Sequence, residues 1–331
     1  MTAPVGLLLV NLGSPDAPEA PAVRRYLAQF LSDRRVVELP RAFWLPILYG
    51  IILNTRPRRS AKLYEQIWER ESNESPLKAI TRRQAERLAL RLEPAFGARV
   101  IVDWAMRYQN PSIDAAIAAL MAKGCERIVL LPLYPQYAAS TTATAFDAAA
   151  HSLSKMRRQP SLRFAAPYYN DPAYIEALAA SLKSELQKLD FEPEVVLASF
   201  HGLPQFQIDR GDPYRAHCEA TVALLRAATG FDAARLRLSF QSRFGRAEWI
   251  KPYTSATVGE LARAGVRRLA VIAPGFSADC LETLEEIGVE IRDEFLKAGG
   301  EKFARLPCLN DSDESLAMLE ALARRELAGW A

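Results

Sequence analysis

The sequence predicts an α/β protein with parallel strands, arranged as two similar halves. Three observations point there. Short β-branched or Leu-rich runs alternate with longer amphipathic stretches, the signature of βαβ units whose helices cover both faces of a parallel sheet. The runs fall into two sets of four, and short patterns recur between the sets. Half of the 331 residues are hydrophobic and 24% are charged, an ordinary soluble-globular balance with enough chain for one large or two ordinary domains.

Taken in order, the first set of strands is Gly6–Asn11, Arg99–Trp104, Arg127–Leu133 and Leu162–Ala166. The second is Val195–Phe200, Arg235–Gln241, Arg268–Ala273 and Phe303–Pro307. Helical periodicity separates them, as in Pro111–Lys123, Pro172–Leu189 and Ala256–Ala264. Across the halves, Asn11-Leu12-Gly13-Ser14-Pro15 parallels Phe200-His201-Gly202-Leu203-Pro204, with Leu12 standing where His201 stands. Pro167–Asp171 parallels Pro307–Asp311, and Leu130–Tyr134 parallels Val271–Gly275. The repeat predicts a two-domain duplication, residues 1–170 and 171–331, with a cleft in which Leu12 and His201 face each other.

Composition excludes several classes. A formal charge of +3, without a basic tail or an aromatic-interleaved basic run, argues against a nucleic-acid partner. The scattered Cys125, Cys218, Cys280 and Cys308 contain no C-x-x-C, which argues against a structural zinc site or disulfide framework and for a reducing compartment. The N-terminal residues lack a basic n-region and cleavage site, so a cytoplasmic location is expected. No G-x-G-x-x-G follows the first strand, and the chain has no Walker lysine loop and no G-x-S-x-G elbow.

The apolar stretch Phe43–Leu53 is far short of the ~20 residues that span a bilayer. Its Pro46 and Gly50 weaken it as a buried helix. It reads either as a core segment or as a greasy lip at an opening. Followed by Arg56, Arg58 and Arg59, a lip over residues 43–59 is a candidate for peripheral membrane contact or for admitting a flat apolar ligand.

The chemistry-bearing residues stand at strand ends. His201, one of three histidines, ends an apolar strand and enters a Gly-Pro turn, where parallel sheets place their ligands. After the next-but-one strand comes Pro274-Gly275-Phe276 and then a helix beginning near Ser277 or Asp279. Asp279, Glu282, Glu286, Glu290 and Asp293 are spaced to share one helical face. For Glu290 and Asp293 a solvated acidic face is the plain reading. Glu282 lies at the rim level of His201, and an imidazole with a carboxylate suits acid–base work or handling of Fe²⁺ or Zn²⁺. Gln241-Ser242-Arg243-Phe244-Gly245-Arg246, Trp249, Ala105-Met106-Arg107-Tyr108 and Tyr134–Thr142 add Arg, Ser, Tyr and Trp after other strands. Together they fit a large flat aromatic ligand bearing carboxylates.

These residues resemble the ferrochelatases, which insert ferrous iron into porphyrin to make haem. The resemblance covers nearly the whole chain, from Leu8–Asp16 to Leu309–Asp311. It is carried by Ser199–Pro204 with Arg210–Tyr214, Tyr134–Tyr137 with Ser140-Thr141, Gln241–Arg246 and Leu281–Leu284. It implies two Rossmann-like, chelatase-type domains with four-stranded parallel sheets, and a lyase acting on porphyrin and Fe²⁺. His201 matches the active-site histidine, and Glu282 the carboxylate across from it. Glu286 matches the next acid on that helix, in a metal or proton path. Leu12 and Arg107 match the opposite wall. Tyr64, Trp249 and Phe276 match macrocycle-packing residues. Ser242 matches a propionate contact, for which Arg56, Arg58 and Arg59 are further candidates. The animal enzymes carry a [2Fe–2S] cluster on a cysteine-rich extension. No such cysteines stand here, so no cluster and no permanently bound cofactor is expected. Cys280 stands where relatives often carry histidine. Rival readings are a chelatase of a reduced tetrapyrrole, a porphyrin carrier, and a hydrolase using Cys218 or Cys280. Monomer and homodimer are both open.

Overall fold

The computed structural model describes residues 3–245 and 247–331; Met1, Thr2 and Arg246, the last a member of the Gln241–Arg246 motif, lie outside the described residues. Eight strands appear among the described residues: β1 Val5–Gly13, β2 Val100–Tyr108, β3 Arg127–Pro132, β4 Ser161–Phe164, β5 Val195–His201, β6 Leu236–Gln241, β7 Arg268–Ile272 and β8 Lys302–Arg305. They form two parallel four-stranded sheets ordered β2-β1-β3-β4 and β6-β5-β7-β8. The identical order in both is what a duplicated βαβ unit produces.

The central strands are apolar because helices cover both sheet faces. All but one residue of β1 is buried, and β5 is buried up to His201. The edge strands β4 and β8 have four residues each and carry Arg163, Lys302 and Arg305, which blunts an edge that would otherwise template strand addition. Helix Ile113–Ala122 starts where Ser112 accepts the Ala115 N–H, and Pro172–Gln187 where Asp171 accepts the Ala173 N–H.

Two compact units result. One runs to Tyr134, resumes at Ala138–Pro167 and takes in Leu319–Ala331; the other comprises Pro135–Tyr137 and Tyr168–Met318. In the first, the core runs from Leu8, Val10 and Leu130 to Ile117 and Leu120. In the second it joins Val195, Leu197 and Val271 to Ile287, Ile291 and Phe295.

Two elements differ from the sequence expectation. β2 runs four residues further, so that Arg107 and Tyr108 lie within the strand rather than after it. The reason is the length of β1, whose Gly13 still pairs with Tyr108. A Cβ on Gly13, at φ +106°, would lie 2.0 Å from the Tyr108 carbonyl oxygen, so only glycine permits that last pairing. The apolar stretch also stays helical past Pro46 and Gly50. Helix Arg41–Ile47 passes into a π-type segment, Leu48–Ile52, and then helix Leu53–Ile67. Asn54 Nδ2 donates to the carbonyls of Tyr49 and Gly50, at 3.1 and 2.9 Å. The stretch has a buried face and an exposed one. Trp44, Leu48 and Leu53 are buried, while Phe43 is 74% and Ile51 59% exposed.

Candidate functional site

In the second sheet the strand order reverses between β5 and β7, and ligands of open parallel sheets bind beyond the strand C-termini at such a point. His201 ends β5. The chain after β7 runs through Pro274-Gly275 into a π-helix, Glu282–Ile291, that begins on Glu282 itself. A ten-residue π-helix is rare, and π-type bonding recurs at functional sites.

Gln241 organises the site. It pairs with His201 in the β5–β6 register. Its buried Oε1 accepts the Ser199 hydroxyl at 2.7 Å, and its Nε2 donates to the Glu282 carbonyl at 3.2 Å and the Glu286 carboxylate at 3.4 Å. Ser199 meets Thr254 at 2.8 Å, and Thr254 meets Ser239 at 2.8 Å, giving a buried hydroxyl row beneath the strand ends. One amide thus links the strand of His201 to the helix of Glu282 and Glu286. Its signal in the sequence is a polar amide closing an apolar strand.

The imidazole is oriented by its own turn. His201 Nδ1 lies 2.6 Å from the Gly202 carbonyl oxygen, which only accepts. The neutral ring therefore carries its proton on Nδ1 and its lone pair on Nε2. Gly202 is required for this turn. A Cβ there would lie 2.8 Å from the Gln241 carbonyl oxygen and 3.2 Å from the Trp249 ring. Trp249 stands 6.4 Å from the imidazole, centroid to centroid, with its indole N–H on the Phe244 carbonyl at 2.9 Å.

Glu286 is held by Ser242. Its carboxylate accepts the Ser242 N–H at 2.7 Å and the Ser242 hydroxyl at 2.5 Å. Ser242 adopts φ +66°, a left-handed conformation that a serine holds only where its surroundings impose it. Burial pushes the Glu286 pKa up, the Ser242 bond and the His201 charge oppose that shift, and the Glu282 charge adds to it. Glu286 therefore lies within the fields of both His201 and Glu282.

A pH signature follows. Because the folded-state pKa is raised, the folded protein holds this proton more firmly than the unfolded chain. That stability is fully present below the ordinary carboxyl pKa, about 4.3, and is lost as pH rises through the folded value. Glu286→Gln, which never ionises, is expected to gain melting temperature over the parent as pH rises from about 4 to 7. Parallel melting curves across that range would refute the burial of the charge.

The structure removes Asp279 from the expected five-acid face. The helix starts three residues later, and the Asp279 side chain turns inward to Thr283, Arg305 and Asn310. A buried carboxylate needs such donors. Asp293 pairs with Arg292 at 2.9 Å, and Glu290 is exposed.

Ser242 is engaged with Glu286. Phe276 packs on the second unit's core and lines a small crevice with Leu178, Leu182 and Pro307. In the first unit, Leu12 is half-buried near the end of β1. Arg107 is bonded to Asp33 at 2.5 Å and stacked over Tyr108 at 4.4 Å. Tyr64 is buried in helix Leu53–Ile67, edge-on to Trp68. Arg56, Arg58 and Arg59 are exposed. His217 stacks on Tyr169 at 3.7 Å and accepts the Tyr137 N–H. Burial pushes the thiols of Cys218, Cys280 and Cys308 up, so none supplies a thiolate nucleophile at neutral pH.

Comparison with known proteins identifies the family and the fold. The family model described as ferrochelatase matches residues 4–327. The chain is 57% identical over 326 residues to a ferrochelatase of Brucella anthropi, covering 98% of this chain and 93% of that one. It is 57% identical over 328 residues to a ferrochelatase of Rhizobium meliloti, covering 98% and 96%. Among solved structures, SirB from Bacillus subtilis with Fe³⁺ superposes with a TM-score of 0.57 at 13% identity, covering 98% of this chain and 96% of that one, a likeness of fold.

Proposed function

This chain belongs to the ferrochelatase family, lyases that insert Fe²⁺ into protoporphyrin IX to give protohaem, and we propose that His201 and Glu282 carry that reaction here. Two inner N–H protons must leave the free porphyrin as the metal enters, so the site needs a base and an oxygen donor for the ion. The observation that carries the reading is the His201–Gly202 bond, which leaves Nε2 as the basic atom of a ring whose charge reaches Glu286. His201 Nε2 takes one inner proton. Glu282 presents Fe²⁺ or accepts the second proton, and Glu286, with its raised pKa, passes protons onward. Trp249 packs on the macrocycle beside the imidazole. Phe276 and Ser242 contribute to binding the macrocycle and its carboxylates. Iron enters as substrate.

The decisive experiment is anaerobic incubation of the purified protein with Fe²⁺ and protoporphyrin IX, following the Soret band. Haem formation at a rate proportional to enzyme is expected, with Zn²⁺ and Co²⁺ as slower alternatives for a borderline N/O site. An unchanged Soret band would overturn the assignment.

The exposed apolar face of residues 43–59 supports peripheral membrane contact. Among the described residues no helix is long and apolar enough to cross a membrane. Phe43, Ile47, Tyr49 and Ile51 nevertheless present their side chains to solvent, with Arg56, Arg58 and Arg59 following. The protein is expected to sediment with anionic vesicles in a salt-sensitive manner, and Phe43→Ser with Ile51→Ser to abolish it. Equal sedimentation of parent and variant would reject the contact.

A further inference from the structure

We infer that Asp279, Arg305 and Asn310 form a clamp that fixes the entry of the Glu282–Ile291 helix and so positions Glu282 for the metal step. The inference rests on the chelatase reading above. Asp279 is 6% exposed, and its carboxylate accepts three protein donors: Thr283 Oγ1 at 2.8 Å, Arg305 Nη1 at 2.9 Å and Asn310 Nδ2 at 2.8 Å. Asn310 answers in the other direction. Its Oδ1 accepts the Asp279 N–H at 2.8 Å, and its own N–H donates to the Ser277 carbonyl at 3.0 Å. Asn310 does this at φ +50°, a conformation asparagine tolerates better than most residues. Thr283 Oγ1 also accepts the Cys280 N–H at 3.0 Å, so the clamp closes over the residues just before and just after Glu282.

Arg305 reaches this carboxylate from the end of β8, which pairs with β7 through Val271. Its side chain passes Gly288 on the helix, where a Cβ would lie 3.4 Å from Arg305 Cδ. The helix is thus held at two points: Asp279 at its entry, and Glu286 on Ser242 and Gln241 one turn later. A π-bonded helix needs such anchoring, because its hydrogen-bond register lies close to the more common α-helical one. A slip between registers rotates Glu282 relative to the tethered Glu286. Asp279, Arg305 and Asn310 are positioning residues. They act through the backbone on an acid they do not touch.

Three variants test this: Asn310→Gly, which accepts the same φ, and Arg305→Met alongside Arg305→Lys, which restores the charge. The expected result for Asn310→Gly is a folded protein with porphyrin affinity within about threefold of the parent and a KM for Fe²⁺ raised about tenfold. Arg305→Lys is expected to lie between the parent and Arg305→Met in metal KM. Amide hydrogen exchange over residues 280–287 is expected to quicken about tenfold in Asn310→Gly, an independent reading of the clamp. Folded variants with parental metal KM and parental exchange would overturn the inference. So would a fall in porphyrin affinity and melting temperature alongside the rise in metal KM, or failure of all three variants to fold, since either marks a general brace. If the parent itself makes no metalloporphyrin, the chelatase reading fails, and the exchange measurement decides the clamp alone.

Discussion

Replacing His201 by alanine is expected to cut metal insertion by about 10²- to 10⁴-fold, the range for removing a positioned general base, while porphyrin binding persists. The geometry makes this specific. The Gly202 carbonyl holds the Nδ1 proton, so on the proposed mechanism Nε2 is the atom that accepts the inner N–H proton, and among the described residues no other imidazole is bonded at this strand end. Alanine leaves the β5–β6 register, the Gln241 bonds and Trp249 in place, so the macrocycle should bind within about threefold of the parent affinity. The rate of Zn²⁺ insertion should fall in parallel with that of Fe²⁺, because the lost step is deprotonation and not metal selection. Added imidazole should restore part of the rate, increasingly as pH rises through the imidazole pKa. Turnover at the parental rate would remove His201 from the mechanism.

Glu282→Gln is expected to be the second-largest loss, about 10²-fold in kcat/KM for Fe²⁺, with porphyrin affinity retained. Gln241 holds Glu282 through its backbone carbonyl, so the amide at the side-chain end leaves the helix start intact. The change removes a negative charge from the approach of a divalent cation, whose attraction to a carboxylate is strong in a partly buried site. Loss concentrated in the metal KM would assign Glu282 to delivering the ion. Loss in kcat alone, with an altered pH profile, would assign it to the second proton. Parental kinetics in both would sink the residue's role. Glu286→Gln should be milder on metal KM, since that carboxylate is already engaged by Ser242 and Gln241.

Much of the fold was legible because its signals are local. A parallel strand buried on both faces must be apolar along its length, as in Leu7–Val10 and Val195–Ala198, and this is readable without knowing any neighbour. His201 was legible for a related reason: a titratable ring closing such a strand conflicts with its apolar run. The limit of β2 was not legible, because it depends on pairing with Gly13 of a strand far away in sequence. The acids after β7 show the same limit. A 3,4 spacing reads as one α-helical face, yet Asp279 lies outside the helix, and the turn that follows is π-bonded. Spacing alone does not report where a helix begins or which hydrogen-bond register it adopts.

By itself, then, the sequence determined two runs of four strands, the placing of His201 at the end of β5 and of Glu282 after β7, and the resemblance that the comparisons bear out. Only the tertiary structure decided which polar groups meet. Gln241 tying β5 to the helix, Ser242 held left-handed on Glu286, Asp33 on Arg107 and Arg305 on Asp279 join residues 26 to 74 positions apart or across paired strands. Such partners leave no periodic trace. They are chosen by strand register and by the demand that every polar group taken out of water find a bond, and both are properties of the folded chain.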